Sequence, residues 1–179
     1  PNFVTLLSSP TNEPNNMVSL VFNEPILGDL ENGLDLINCI IDSITQSDSS
    51  FTFEIIAEQT GYVSVATIAE TFYDNVGNNN LINDTLTYYY DNSPPITNFI
   101  TPISNNSFFV GDTVIISWEV FEDYDLTSIE LFYNLNGSIY LLSDDLLEVQ
   151  LFEWIVPNIP SIDLDLFMIA TDFVGLKDT

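Results

Sequence analysis

Apolar residues recur at every second position along most of this chain, in short runs separated by turn residues. In MVSLVFNEP the alternation sets Val18, Leu20 and Phe22 on one side, and in SSFTFEII it does the same with Phe51, Phe53 and Ile55. DTLTYYYD gives Leu86, Tyr88 and Tyr90; TVIISWEV gives Val114, Ile116, Trp118 and Val120; SIELFY gives Ile129, Leu131 and Tyr133. VQLFEWIV adds Phe152, Trp154 and Val156, and DLDLFMIATD adds Leu164, Leu166, Met168 and Ala170. Successive side chains of a strand point to opposite faces, so each run reads as a strand with one face toward a core. The Asn136–Gly137 pair is a strong hairpin signal. No segment sustains a 3.6-residue period; AEQTGYVSVATIAETFYD comes closest and is better read as a strand. The expectation is an all-β chain with the strand spacing of a sandwich.

A length of 179 residues accommodates one large or two small domains. In YYYDNSPPITNF a strand ends at Tyr90, and Pro94–Pro95 can neither extend a ladder nor bend freely. The boundary is therefore expected there, with domains at 1–93 and 94–179. Cys39 is the single cysteine, which rules out an intrachain disulfide and fits a small buried apolar residue.

The net charge of −26 arises from 27 acids set against one cation, with no histidine. Cations are missing rather than acids being in excess. Such a chain offers no positive surface to nucleic acid or to anionic membranes. It contains no run of about 18 apolar residues and no basic segment leading into an apolar one, so neither a membrane span nor a signal peptide is expected. Starting at Pro1, it reads as a piece of something longer. The self-repulsion is relieved either by a solvated acidic surface or by bound divalent cations.

The residues from GDTVIISWEVFEDYDLTSIELFY through FEWIVPNIPS to LDLFMIATDFVG resemble the Ig-like, fibronectin type III-like repeats of bacterial surface proteins. VSLVFNEPI, FTFEIIAEQTGYVSVATIAETFYDNVGN and LTYYYDNSPP resemble the Ig-like repeats of biofilm-associated adhesins. The resemblance covers nearly the whole chain and implies two tandem seven-stranded sandwiches on an extracellular, cell-surface chain. It also implies calcium at the joints, and neighbouring Ig-like domains or identical subunits as partners. Such repeats continue past the final turn into a last strand. Here only 175–179 follow it, so the second sandwich is expected to lack that strand.

On this layout the acids fall in particular places. The second strand of the latter half is expected at 113–120 and the sixth at 163–170. Glu122, Asp123 and Asp125 then occupy the loop after the former, and Asp172 the loop after the latter, at the end facing the preceding domain. Asp91 arrives at that same end. These five carboxylates, with the side-chain oxygen of Asn92, suit a calcium ion, which takes six to eight oxygens. Glu24 and Asp74 repeat the layout in the first half as a half-site. Against this stands a simpler reading of both Asp-x-x-Gly stretches, at Asp74 and Asp172: Asp caps local amides and Gly adopts φ > 0, so each is a turn without metal.

Trp118 and Trp154 alternate with core positions and read as core rather than as a sugar-stacking face. Asp144, Asp145, Asp163 and Asp165 read as exposed acids. Paired carboxylates can serve a glycosidase, but no cleft, histidine or nucleophile motif supports an active site, so the chain is read as non-enzymatic. Asn83, Asn105 and Asn136 head Asn-x-Ser/Thr triplets open to glycosylation. The function expected is an extracellular structural or adhesive repeat rigidified by calcium. The alternatives are a carbohydrate- or protein-binding adhesin module and a surface-layer or filament subunit completed by strand donation.

Overall fold

The alternating runs become antiparallel ladders. A computed structural model describes residues 1–81, 83–103, 106–122, 124–147, 149–158 and 164–179. They form two units, Pro1–Asn92 and Ser93–Thr179, and the described residues contain sixteen strands and one four-residue helix. None of their helices is long and apolar enough to cross a membrane.

The first unit contains β1 (Asn2–Val4), β2 (Asn15–Val21), β3 (Ile26–Leu27), α1 (Leu30–Gly33) and β4 (Leu34–Ile37), followed by β5 (Cys39–Ser47) and β6 (Ser50–Ala57). β7 (Gly61–Thr67), β8 (Tyr73–Asp74) and β9 (Thr85–Tyr90) complete it. Beside a separate two-stranded ladder of β3 and β8, its two main sheets have the orders β1-β2-β6-β5 and β4-β7-β9. That is the four-plus-three strand order of a constant-type Ig sandwich. The alternation explains the packing. Leu20 lies opposite Phe51 and Val18 opposite Phe53 on one sheet, all buried, and Val63 and Val65 of β7 close the core from the other. At its centre Phe72 packs on Phe22 and Phe51, with ring centroids 5.2 and 5.7 Å away. The stretch AEQTGYVSVATIAETFYD supplies the end of β6, a turn, and β7, so its β reading holds. Cys39 is buried and free, and burial pushes its thiol up to about 11, which keeps it neutral.

The second unit contains β10 (Ile96–Thr101), β11 (Thr113–Phe121), β12 (Leu126–Leu135), β13 (Ser138–Ser143), β14 (Leu151–Ile155), β15 (Leu164–Asp172) and β16 (Lys177–Asp178). Its sheets are β10-β11-β14 and β13-β12-β15-β16. The fourth strand has moved to the opposite sheet relative to the first unit. Trp118, Ile116, Leu131, Met168 and Ala170 are almost fully enclosed, and Trp154 is buried beside them. Asn136 and Gly137 have φ of 52° and 83°, the paired positive values of a type I′ hairpin joining β12 to β13.

Two boundaries differ from expectation in an instructive way. β15 continues two residues beyond Ala170, so Asp172 ends a strand instead of sitting in a loop. A register shift in β12 around Thr127 permits this: the Thr127 hydroxyl donates to the carbonyls of Thr171 and Asp172 at 3.2 and 2.9 Å. A last strand is also present in short form. β16 pairs Asp178 with Ala170 and Lys177 with Thr171.

Candidate metal centre

Two copies of Asp-x-x-Gly form the same turn and use their carboxylates differently. In each, Gly takes the left-handed region, at φ 91° for Gly77 and 89° for Gly175, and its N–H donates to the aspartate carbonyl. Around Asp74, Oδ1 accepts from the N–H groups of Val76 and Asn78 at 2.8 and 2.9 Å, and Oδ2 accepts from Asn78 Nδ2 at 2.7 Å. Both oxygens serve the turn, and the Asn78 N–H above all holds the carboxyl below its ordinary value. Around Asp172, Oδ1 accepts from Leu176 N–H at 2.8 Å. Oδ2 is buried and has no hydrogen-bond partner.

The residue as a whole is 1% exposed. A carboxylate oxygen shut away from water without a donor is costly, and a cation would offset that cost. A second acid stands beside it. Glu122, at the start of the β11–β12 loop, is half-buried and accepts from Tyr124 N–H through Oε1 at 3.3 Å. One carboxylate oxygen of Glu122 and one of Asp172 lie within 4.8 Å of each other. The β11–β12 loop and the turn that follows Asp172 are tied together by the Phe173 N–H, which donates to the Asp125 carbonyl at 2.8 Å. Tyr124 and Phe173 add an edge-on ring contact at 6.5 Å.

The other sequence candidates fall as follows. Asp125 is exposed and contributes its backbone carbonyl to the loop clasp. Asp123 and Asn105 lie outside the described residues, as does Asp163. Asp91 follows β9 directly, and its N–H donates to the Thr11 carbonyl at 2.9 Å. The Asn92 side-chain oxygen accepts from the Thr60 hydroxyl at 2.6 Å. Glu24 is exposed between β2 and β3, while Asp74 is paired in β8 with Ile26 of β3. Asn83 and Asn136 are exposed, as are Asp144, Asp145 and Asp165. Both indoles lie in the core of the second unit, which removes them from any sugar-stacking surface.

Sequence reasoning missed one polar clasp in each unit. Asp84 Oδ2 accepts from Phe3 N–H at 2.7 Å, and Asp178 Oδ2 accepts from Thr97 N–H at 2.7 Å and the Thr97 hydroxyl at 2.9 Å. In both, an acid at the last strand holds the first: Asp84 immediately precedes β9 and Asp178 lies in β16. Neither acid is assigned a role by sequence reasoning.

No protein-family model and no curated protein matches this chain. A solved structure described as fibronectin(III)-like modules of Clostridium thermocellum CbhA is similar to it at 14% identity and a TM-score of 0.39, over 99% of this chain and 89% of that one.

Proposed function

We propose that this chain is a segment of an extracellular, cell-surface protein in which Ig-like sandwiches space and stiffen a longer adhesive polypeptide, with calcium bound at the Glu122–Asp172 end of the second sandwich. One observation carries the ion: Asp172 Oδ2, buried and without a hydrogen-bond partner, close to a Glu122 carboxylate oxygen. Two like charges at that spacing repel, and a divalent cation converts the repulsion into shared attraction. The donors are oxygens alone, with no histidine in the chain and its one thiol buried in the other unit, which favours a hard cation. Calcium tolerates an irregular oxygen shell better than magnesium does.

That Asp91, Asn92 and Asp123 complete the shell, so that the ion stiffens the joint, rests on sequence order alone. Asp91 is the last acid before Pro94–Pro95. The mechanical role rests on the sandwich topology and on the near absence of lysine and arginine, which removes sites for trypsin-like proteases.

Thermal unfolding in the presence of calcium tests this reading. Extracellular modules bind calcium with Kd on the order of 10⁻⁴–10⁻³ M. At tenfold excess over Kd, one site stabilises the second unit by about 1.4 kcal/mol. An equal calcium-dependent rise in Tm in the wild type and in Asp172→Asn would contradict the assignment.

A further inference from the structure

Asp172 is bound to more than its candidate ion. Its Oδ1 accepts from Leu176 N–H at 2.8 Å, and its own N–H donates to the Leu176 carbonyl at 3.1 Å. These bonds close the turn that delivers β16. The strand itself is slight: two residues paired with β15, and the Asp178 carboxylate held by Thr97 of β10. So short a strand depends on its anchors, because it buries little apolar surface and offers few ladder bonds.

We infer that ion occupancy at Glu122–Asp172 controls the docking of β16: calcium holds the closing strand on β15 and β10, and its removal releases that strand. The inference rests on the calcium reading above. The coupling runs through one side chain. With an ion on Oδ2, the Asp172 carboxylate is fixed in the orientation that presents Oδ1 to Leu176. Without it, repulsion from Glu122 favours rotation of the carboxylate toward solvent, and the turn loses its main acceptor. Release of β16 frees the edge of β15 opposite it, at Ala170 where that strand had lain against Asp178, and frees the Thr97 N–H from Asp178. An opened edge of this kind is a template for another strand. Calcium thus acts as a latch that keeps the edge closed.

The thermodynamic consequence is reciprocal: whatever loosens β16 must weaken calcium binding by the same factor that calcium tightens β16. Asp178 provides the lever, because it lies outside the pair that meets the ion and acts on the strand alone.

The test is amide hydrogen exchange on the full chain with calcium and with a chelator, paired with calorimetric titration of calcium. Calcium should slow exchange at Leu176, Asp172 and Thr97 on the order of fivefold or more, while the β12–β13 hairpin is unchanged. Asp178→Ala should lose this protection and bind calcium more weakly by a similar factor. Calcium that binds with unchanged exchange at these amides overturns the latch and leaves the metal site standing. Unaltered calcium affinity in Asp178→Ala, alongside lost Thr97 protection, overturns it equally. Absence of calcium binding overturns both the latch and the site.

Discussion

Glu122, in the β11–β12 loop, and Asp172, the last residue of β15, hold carboxylate oxygens within 4.8 Å of each other at one end of the second sandwich. The sheet register makes the meeting possible. β12 and β15 pair Leu126 with Asp172 across a bulge, which carries Asp172 to the rim where the β11–β12 loop ends. Because the Asp172 oxygen that lacks a donor is buried, the pair has a specific signature in stability as well as in binding.

Replacing Asp172 by Asn should raise the stability of the calcium-free protein. The amide keeps an oxygen for Leu176 N–H, removes one of two like charges and supplies a donor where Oδ2 had none. The gain expected is about 1 kcal/mol. Both tryptophans, Trp118 and Trp154, belong to the second unit, so their fluorescence in a denaturant titration reports that unit alone. A midpoint lower than wild type in chelator would count against the like-charge pair.

Acid should weaken both units through carboxylates that accept amide hydrogens. The Asn78 N–H lowers Asp74, and the Thr97 N–H lowers Asp178, each from an ordinary value of 3.8. A carboxyl depressed in the folded state contributes stability that is fully present above the unfolded value and is lost as pH falls through the folded one. Stability should therefore decline below about pH 4. In Asp178→Asn, the tryptophan-detected midpoint should fall less steeply over that range than in wild type. Identical slopes would show that the Thr97 clasp contributes nothing.

Gly33→Ala sets two effects against each other. Alanine is the better helix residue by about 1 kcal/mol. A Cβ at this position would lie 2.4 Å from Phe72 Cζ and 2.8 Å from Cε2. Phe72 is held against Phe22 and Phe51 and is 1% exposed, so the ring has nowhere to go. Overpacking should win, with a net loss of about 1–3 kcal/mol in the first unit, read from hydrogen exchange of β7 and β9 amides. A stabilised first unit would mean that the ring relaxes freely.

Much of the fold was legible because one face of each central strand is buried, which forces alternation: Val18, Leu20, Phe51, Phe53 and Ile55 all point inward as their spacing required. The sheet exchange of the fourth strand was not legible, because β5 and β13 are both edge strands with mostly exposed residues and carry little periodic signal. At the candidate site, the strand order anticipated that Glu122 and Asp172 share one end of the second sandwich, although Asp172 closes β15 rather than sitting in a loop. What separates Asp172 from Asp74 was not: the two turns share the Asp-x-x-Gly pattern, and only Asn78, one residue after Gly77, satisfies the second oxygen of Asp74. Leu176 stands at the matching position after Gly175 and has no side-chain donor to offer. The clasps by Asp84 and Asp178 depend on which backbone N–H is left over at a first strand, a three-dimensional matter that no local pattern records.

Titration calorimetry of calcium into wild type, Asp172→Asn and Asp74→Asn tests the central claim most directly, because the two aspartates occupy equivalent turns and differ in whether an oxygen remains for an ion. The wild type and Asp74→Asn should bind calcium with matching affinity, with Kd on the order of 10⁻⁴–10⁻³ M, and Asp172→Asn should show no such binding. Retention of that binding in Asp172→Asn, or its loss in Asp74→Asn alone, would contradict the assignment of the ion to the Glu122–Asp172 pair.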